Sequence, residues 1–321
     1  MTSRPDLSVV IPMHNASATI VGLVESFLAI DGISVEIITV DDASTDDSVD
    51  LVTALGDPRV RVEQLNSNHG AGIARNVGFA HAAGRYTLFF DADDLILPDG
   101  LLTTIDALAV TGADTAFTSY RYRRGEAGSF EGMNSFDHAL WGQYATKKRR
   151  LVNLTDVPRL LGFSNYPWNK VIDTDHYRGT ELRFGSTPVH NDILGHWLTL
   201  VDARSLVLVD EPLCTHIVGA NGANLTNRKS RARLTLFDAL DETYDALEER
   251  PAMRNRYAHH YWSFVLRVAD WARDRVALEA NEEFNLRLQK HLLRMDLADF
   301  SRMRARHDPA LASMVVRRTL A

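Results

Sequence analysis

A chain of 321 residues, 45% hydrophobic and 24% charged, can bury a full core and is not the composition of a disordered polymer. The net charge of -7 is unevenly spread: residues 1–227 carry 17 Lys+Arg against 28 Asp+Glu, whereas residues 228–321 carry 18 against 14. The acidic front part excludes general nucleic-acid binding, which needs a basic face to displace phosphate counterions.

Two periodicities alternate over the first 120 residues. "LSVVIP" (7–12) is an apolar run of the kind found in strands buried on both faces, and Ile20, Leu23, Val24, Phe27 and Leu28 then follow helical spacing. "VEIITVDD" predicts a second strand, with Ser44 or Thr45 placed to start a helix through Val49, Val52 and Leu55. "RVRVEQL" predicts a third strand, followed by a glycine-marked turn and the helix "AGIARNVGFAHAAG". "YTLFF" predicts a fourth, Pro98 opens a helix, and "ADTAFTSY" gives a fifth. Alternation of this kind predicts a mostly parallel sheet with helices on both faces, an α/β core.

Residues 121–155, of mixed polarity with several glycines and the basic run Lys147–Arg150, read as a variable, acceptor-facing loop. Compact order returns with the helical pattern of "HNDILGHWLTLVDA" and two short strands in "SLVLVDEPLCTHIV". After "GANGANLTNRKS" the composition shifts to amphipathic helices, one presenting Tyr257, Tyr261, Phe264, Val265 and Val268 on a single face. The expected division is a catalytic domain over 1–217, a linker over 218–228 and a helical C-terminal module over 229–321.

One cysteine, Cys214, allows no internal disulfide and reads as a small buried hydrophobe. The first six residues precede no signal-peptide apolar run, and no window reaches the roughly 18–20 apolar residues of a membrane span. The expected location is the cytoplasm, with peripheral contact at the inner face of a membrane suggested by the basic tail.

The chemistry concentrates where strands end. "DADD" places Asp91, Asp93 and Asp94 after the fourth strand, and Asp41 and Asp42 end the second. Ligands of open parallel sheets bind at this carboxyl edge. Like charge gathered there suits a hard cation such as Mg²⁺ or Mn²⁺, which takes oxygen ligands and shares them with substrate phosphates. Gly70-x-Gly72 opens the third helix, but Arg75 replaces the third glycine of a dinucleotide fingerprint.

Together "LSVVIPMHN", "VDDASTDDS", "NHGAGIARNVGFAHAAGRYTLFFDADD" and "PWNKVI" resemble the family 2 glycosyltransferases of GT-A fold, over residues 7 to about 217. The resemblance implies a nucleotide-diphosphate sugar donor, most often UDP-linked, a divalent metal, and inverting transfer to a hydroxyl of a glycan, cell-envelope polymer or lipid-linked acceptor. By this resemblance Pro12, Met13 and His14 line the nucleotide pocket, Asn15 braces that turn, and Asp42 reads the base. Arg75 approaches the pyrophosphate, Asp91 faces the ribose or donor sugar, and Asp93 binds the metal, with His216 a second metal candidate. Trp168 and Asn169 are assigned to the acceptor, and Asp94 to bracing its turn.

The family's usual Glu-Asp pair, which supplies the base, is here Asn191-Asp192, so Asp192 is the candidate base and Asn191 the departure. The helical module is expected to shape the acceptor side or to mediate self-association. Two rival readings are a sugar-1-phosphate nucleotidyltransferase and a non-catalytic glycan-binding scaffold. The first would need a glycine-rich basic loop after the first strand, which "PMHNASAT" lacks.

Overall fold

The computed structural model describes residues 4–124, 129–218 and 230–320. Strands β1 (Leu7–Met13), β2 (Val35–Asp41) and β3 (Val60–Gln64) alternate with helices α1 (Ile20–Leu28), α2 (Ser48–Ala54) and α3 (Ala71–His81). β1 is fully buried and lies parallel between β2 and β4 (Tyr86–Phe89), which accounts for its nearly unbroken apolar run. Its pairing with β4 stops at Val10, whose carbonyl accepts the N–H of Phe90. Pro12 turns its nitrogen to that side beyond the last pair, so its missing N–H leaves no ladder bond unmade.

Two glycines let α3 lie close to its neighbours. A Cβ on Gly78 would run into Val10 of β1, and one on Gly72 would land on the carbonyl oxygen of Gly185. Backbone cannot yield there as a flexible side chain would. Gly72→Ala is therefore expected to destabilise the protein by about 1–3 kcal/mol, measurable by urea unfolding.

Beyond β4 come β5 (Leu95–Ile96), α4 (Pro98–Thr111) and β6 (Thr115–Thr118). The segment read as a variable loop instead holds β7 (Arg121–Arg124), β8 (Phe130–Glu131), α5 (Ser135–Tyr144) and β9 (Arg149–Val152). Short strands with few apolar residues carry little periodic signal, so their pairing is set by tertiary contacts. β10 (Lys170–Asp173), α6 (Thr174–Arg178), α7 (Asp192–Val201), β11 (Leu206–Val209) and β12 (Cys214–Val218) complete the α/β part.

The main sheet has the order β3-β2-β1-β4-β10-β6-β11-β9. Four of its seven strand pairs are parallel, as expected, and the sheet is mixed: β10 runs antiparallel to both β4 and β6, and β9 antiparallel to β11. A second sheet, β5-β12-β7-β8, stands beyond the acidic turn. Cys214 is fully buried, as its sequence reading implied.

Helices α8 (Thr235–Glu248), α9 (Pro251–Arg273), α10 (Asn281–Leu292), α11 (Leu297–Arg302) and α12 (Pro309–Leu320) make up the C-terminal part. Apart from Val218, the expected linker lies outside the described residues. Trp197 of α7 packs edge-on against Tyr261 and Phe264 of α9, so the helices share a core with the sheet. No helix among the described residues is long and apolar enough to cross a membrane.

Four histidines are held neutral by burial: His190 and His260 are pushed down to about 3, His259 to about 4, and His196 also falls. In the unfolded chain each takes a proton near its ordinary value of about 6.5. Below that pH the unfolded state binds more protons, so this stabilisation is present above about 6.5 and is lost on acidification. Asp93 and Asp192, raised to about 7 and about 6, act in the opposite sense, so the histidine contribution is isolated by comparison: between pH 7.5 and 5 the wild-type protein is expected to lose more unfolding free energy in urea, or gain less, than His260→Gln.

Candidate active site

Three loops along one edge of the sheet hold non-glycine residues at positive φ: Asn15 (51°), Ala43 (58°) and His190 (68°). Such backbone is sparsely populated and persists where surrounding contacts over-determine it. For Asn15 those contacts are explicit. Its Oδ1 accepts the Thr45 N–H at 2.8 Å and its own N–H donates to Ser44 Oγ at 2.9 Å, so it braces the turn after β1. Pro12 and Met13 are buried beneath that turn, and His14 is exposed with Nδ1 2.9 Å from the Asp42 carbonyl.

In the Asp41-Asp42 pair, Asp42 has a structural task beside the one expected of it. Both Asp42 oxygens accept backbone N–H groups, from His69 at 2.6 Å and Gly70 at 2.7 Å, and the residue is 3% exposed. That carboxylate fixes the turn into α3. Asp41, 4% exposed, accepts the Ser44 N–H at 3.2 and 3.3 Å, so the two carboxylates are alike in burial and each keeps acceptor capacity for another donor.

Arg75 joins the acidic turn to α7. It is 4% exposed on α3; one Nη donates to Asp91 Oδ1 at 2.5 Å and the other to Asn191 Oδ1 at 2.8 Å. Its guanidinium carbon lies 5.3 Å from the centroid of the Phe184 ring. The amide of Asn191 thus supplies the acceptor that a glutamate would offer, without adding a third negative charge.

Asp192 begins α7 and is partly buried. Burial raises its pKa to about 6; Arg75 and Lys170 oppose the rise and Asp91 adds to it. Lys170, at the start of β10, is 4% exposed and donates to the Tyr166 carbonyl at 2.6 Å and to Asn169 Oδ1 at 2.5 Å. Burial pulls its ammonium down to about 7, while Asp192 is the main group supporting its charge. A carboxylate near neutrality beside two cations is a proton acceptor suited to pH 7.

The three carboxylates of "DADD" have different surroundings. Asp91 holds Arg75. Asp94 is buried, accepting from His216 Nδ1 at 2.8 Å and from the Ile217 N–H at 2.8 Å, which ties the turn to β12 as its bracing role requires. Asp93 is solvent-accessible and has no ion pair among the described residues. Desolvation in the crowded turn, then Asp94 and Asp91, push its carboxyl up to about 7.

No group of three or more His, Cys, Asp or Glu among the described residues converges as a ready-made metal cage. The donor set nonetheless fits Mg²⁺ or Mn²⁺, because such ions are held by one or two carboxylates with substrate phosphates and water, and Asp93 is an accessible carboxylate whose own charge the turn disfavours. His216 stays the second candidate: its Nδ1 is 2.8 Å from Asp94 Oδ1, and a carboxylate on one ring nitrogen leaves Nε2 to a metal.

The acceptor assignments also shift. Trp168 is fully buried, with its ring stacked 4.4 Å from Tyr166 at 10° and edge-on to Tyr120, so it is core and not an open platform. Asn169, equally buried, donates to Ser164 and accepts from Lys170. Tyr166, half-buried on the outer side of this stack and 5.1 Å from the His216 ring, is the aromatic that reaches toward the acidic turn. The neighbouring "PWNK" pointed to this place in the chain but not to Tyr166 or Lys170.

The sequence profile described as glycosyl transferase family 2 matches residues 8–178. Among curated relatives, the succinoglycan biosynthesis protein ExoO of Rhizobium meliloti is 43% identical over 112 residues, 35% of this chain and 32% of that one. The uncharacterized glycosyltransferase YibD of Escherichia coli is 29% identical over 207 residues, 62% of this chain and 57% of that one. WfaP of Escherichia coli, named as a glucosyltransferase from UDP-Glc to GlcNAc-diphosphoundecaprenol, is 40% identical over 88 residues, 27% of this chain and 35% of that one. The chain therefore spans between about a third and somewhat over half of these relatives' length.

In fold, TarS of S. aureus superposes with a TM-score of 0.72 at 17% identity, over 98% of this chain and 88% of that one, and its complex with UDP-GlcNAc gives 0.70 at 16%. The GT-A architecture, with a mixed sheet and a helical C-terminal region, is thus shared along nearly the whole chain. With the profile covering more than half of the residues, the chain belongs to glycosyl transferase family 2.

Proposed function

We propose that the protein transfers a sugar from a nucleotide-diphosphate donor, UDP-linked, to a hydroxyl of a glycan, cell-envelope polymer or lipid-linked acceptor, with inversion at the anomeric carbon. The carrying observation is Asp192, a carboxylate raised to about 6 at the head of α7 and linked through Asn191 and Arg75 to Asp91 of the acidic turn. The relatives support the substrate class: one is named for a UDP-Glc donor and a diphosphoundecaprenol acceptor, and a structural neighbour is solved with UDP-GlcNAc.

In this reading the β1 turn from Pro12 to His14 lines the base pocket, and Asp42, held in place by the His69 and Gly70 N–H groups, accepts a ring N–H of the base. Arg75 faces the pyrophosphate and Asp91 orients the ribose or donor sugar. Asp93 would hold Mg²⁺ or Mn²⁺, which when bound stabilises the charge growing on the diphosphate leaving group. Asp192 takes the proton of the attacking hydroxyl on the opposite face of the sugar. The catalytic domain, linker and helical module keep the expected order, with the enzyme working at the inner face of a membrane.

The test is a panel of nucleotide sugars with Mn²⁺ or Mg²⁺, with and without EDTA, following nucleoside diphosphate release. Release is expected with a UDP-sugar and should vanish with EDTA. Asp93→Ala should weaken metal-dependent donor binding by roughly a hundredfold, in line with the several kcal/mol a metal contributes. If no donor is bound or hydrolysed with either metal, the transferase reading fails.

A further inference from the structure

One turn along α7 from Asp192, on the same side of the helix, stands His196, 1% exposed. Its Nε2 lies 3.2 Å from the Leu160 carbonyl, which can only accept, so Nε2 carries the proton and Nδ1 a bare lone pair. Nδ1 is buried and meets no hydrogen-bond partner among the described residues. A buried acceptor left without a donor is costly.

Lys170 has a donor to give. An ammonium carries three N–H groups, and two of them go to the Tyr166 carbonyl and Asn169 Oδ1. Its Nζ is 5.1 Å from the centroid of the Phe117 ring, and the His196 ring stands edge-on to that same ring at 6.3 Å. Lys170 and His196 both line a cavity of about 10 Å³, walled also by Phe89, Ile172, Phe184 and Thr199. That is room for one water. The Thr199 hydroxyl, which donates to the Gly195 carbonyl at 2.7 Å, keeps lone pairs for a third contact.

Few charges face this layer. Burial raises the pKa of Asp192, Arg75 of α3 and Lys170 of β10 oppose the rise, and Asp91 adds to it. Burial opposes the charge of Lys170, and Asp192 and then Asp137 of α5 support it. Burial, then Lys170 and Arg267 of α9, hold His196 neutral against the pull of the Leu160 and Leu161 carbonyls. A neutral imidazole can accept from a water to which the ammonium donates.

We propose that Lys170, steadied by one water shared with His196 Nδ1, is a positioning residue for the base: its ammonium keeps Asp192 ionised before the acceptor arrives. The proposal rests on the reading of Asp192 as the base.

Carboxyl ¹³C resonances of aspartate-labelled protein with Mg²⁺ report this titration directly, with Asp192 assigned by the signal missing from Asp192→Asn. Asp192 is expected to titrate near 6 in the wild-type protein. In Lys170→Met it should titrate about one pH unit higher, the low end of what a neighbouring cation is worth to a carboxylate. His196→Leu should move it the same way by less, and His196→Asn, whose amide oxygen stands in for Nδ1, should leave it near the wild-type value. Long-range ¹H–¹⁵N spectra should show His196 protonated on Nε2 alone.

An unmoved Asp192 titration in Lys170→Met, or a proton on His196 Nδ1, overturns the proposal. Where Lys170→Met does not fold, His196→Leu and His196→Asn carry the comparison, and equal titrations in those two overturn it. None of these readings depends on turnover, so they are separate from the base assignment: unchanged transfer in Asp192→Asn would remove the base, whereas an unmoved titration removes only the role of Lys170.

Discussion

Asp192→Asn is expected to lower kcat by about 10²–10⁴-fold, the usual contribution of a positioned general base, while the donor still binds. The amide keeps the shape of the side chain and its place at the head of α7, so lost proton acceptance is the main change. The wild-type enzyme should show the matching pH dependence. A base works deprotonated, so transfer is present above the Asp192 value of about 6 and is lost as pH falls through it. Saturating metal and donor should be used, because Asp93 titrates near 7 without a cation and would otherwise add a second limb. Wild-type-like kcat in Asp192→Asn would remove Asp192 from the mechanism.

Arg75→Met should be nearly as damaging, by a different route. Removing one partner of a buried ion pair leaves the other unpaired, which costs about 3–5 kcal/mol when both are buried. Here Arg75 is 5% exposed at its side chain but Asp91 is 28% exposed, so the lower end, about 3 kcal/mol, is expected in chemical denaturation. Asp192 also loses the cation that most opposes its raised pKa, so the acid limb of transfer should move to higher pH. A variant that lost stability but kept its pH profile would show that Arg75 is only a brace.

Much of the parallel half was legible because its strands and helices carry long periodic patterns. β1, β2, β4, α3 and α4 fall where apolar spacing and Pro98 place them. Short elements were not legible: β7, β8 and β9 have two to four residues each, too few for alternation to separate them from loop. The reversal at β10 was hidden too, since strand direction depends on the path of the connection and not on composition.

At the site, residue types were easier to read than their partners. Asp91, Asp93 and Asp192 could be named from strand ends and a helix start, but the backbone donors that occupy Asp42 come from a turn 27 residues away. Trp168 and Tyr166 are both aromatics of one short motif, and only the packing shows which ring is covered. Asn191 is a departure from the usual acidic pair in the sequence, and only the fold brings up Arg75, which donates to it.

The antiparallel β10 has a consequence for how such an enzyme can change over time. It forms a seam in the sheet: the residues assigned to the nucleotide sugar come from positions 12–93, and those assigned to the incoming hydroxyl come from positions 166–192. Several polar links cross it, among them Arg75 to Asn191, Asn76 to Phe184 and Asp94 to His216. Mutations beyond the seam can alter what is glycosylated while the donor pocket stays intact, provided those links are kept. A lineage built this way can diversify its products by drift in one half of its sequence.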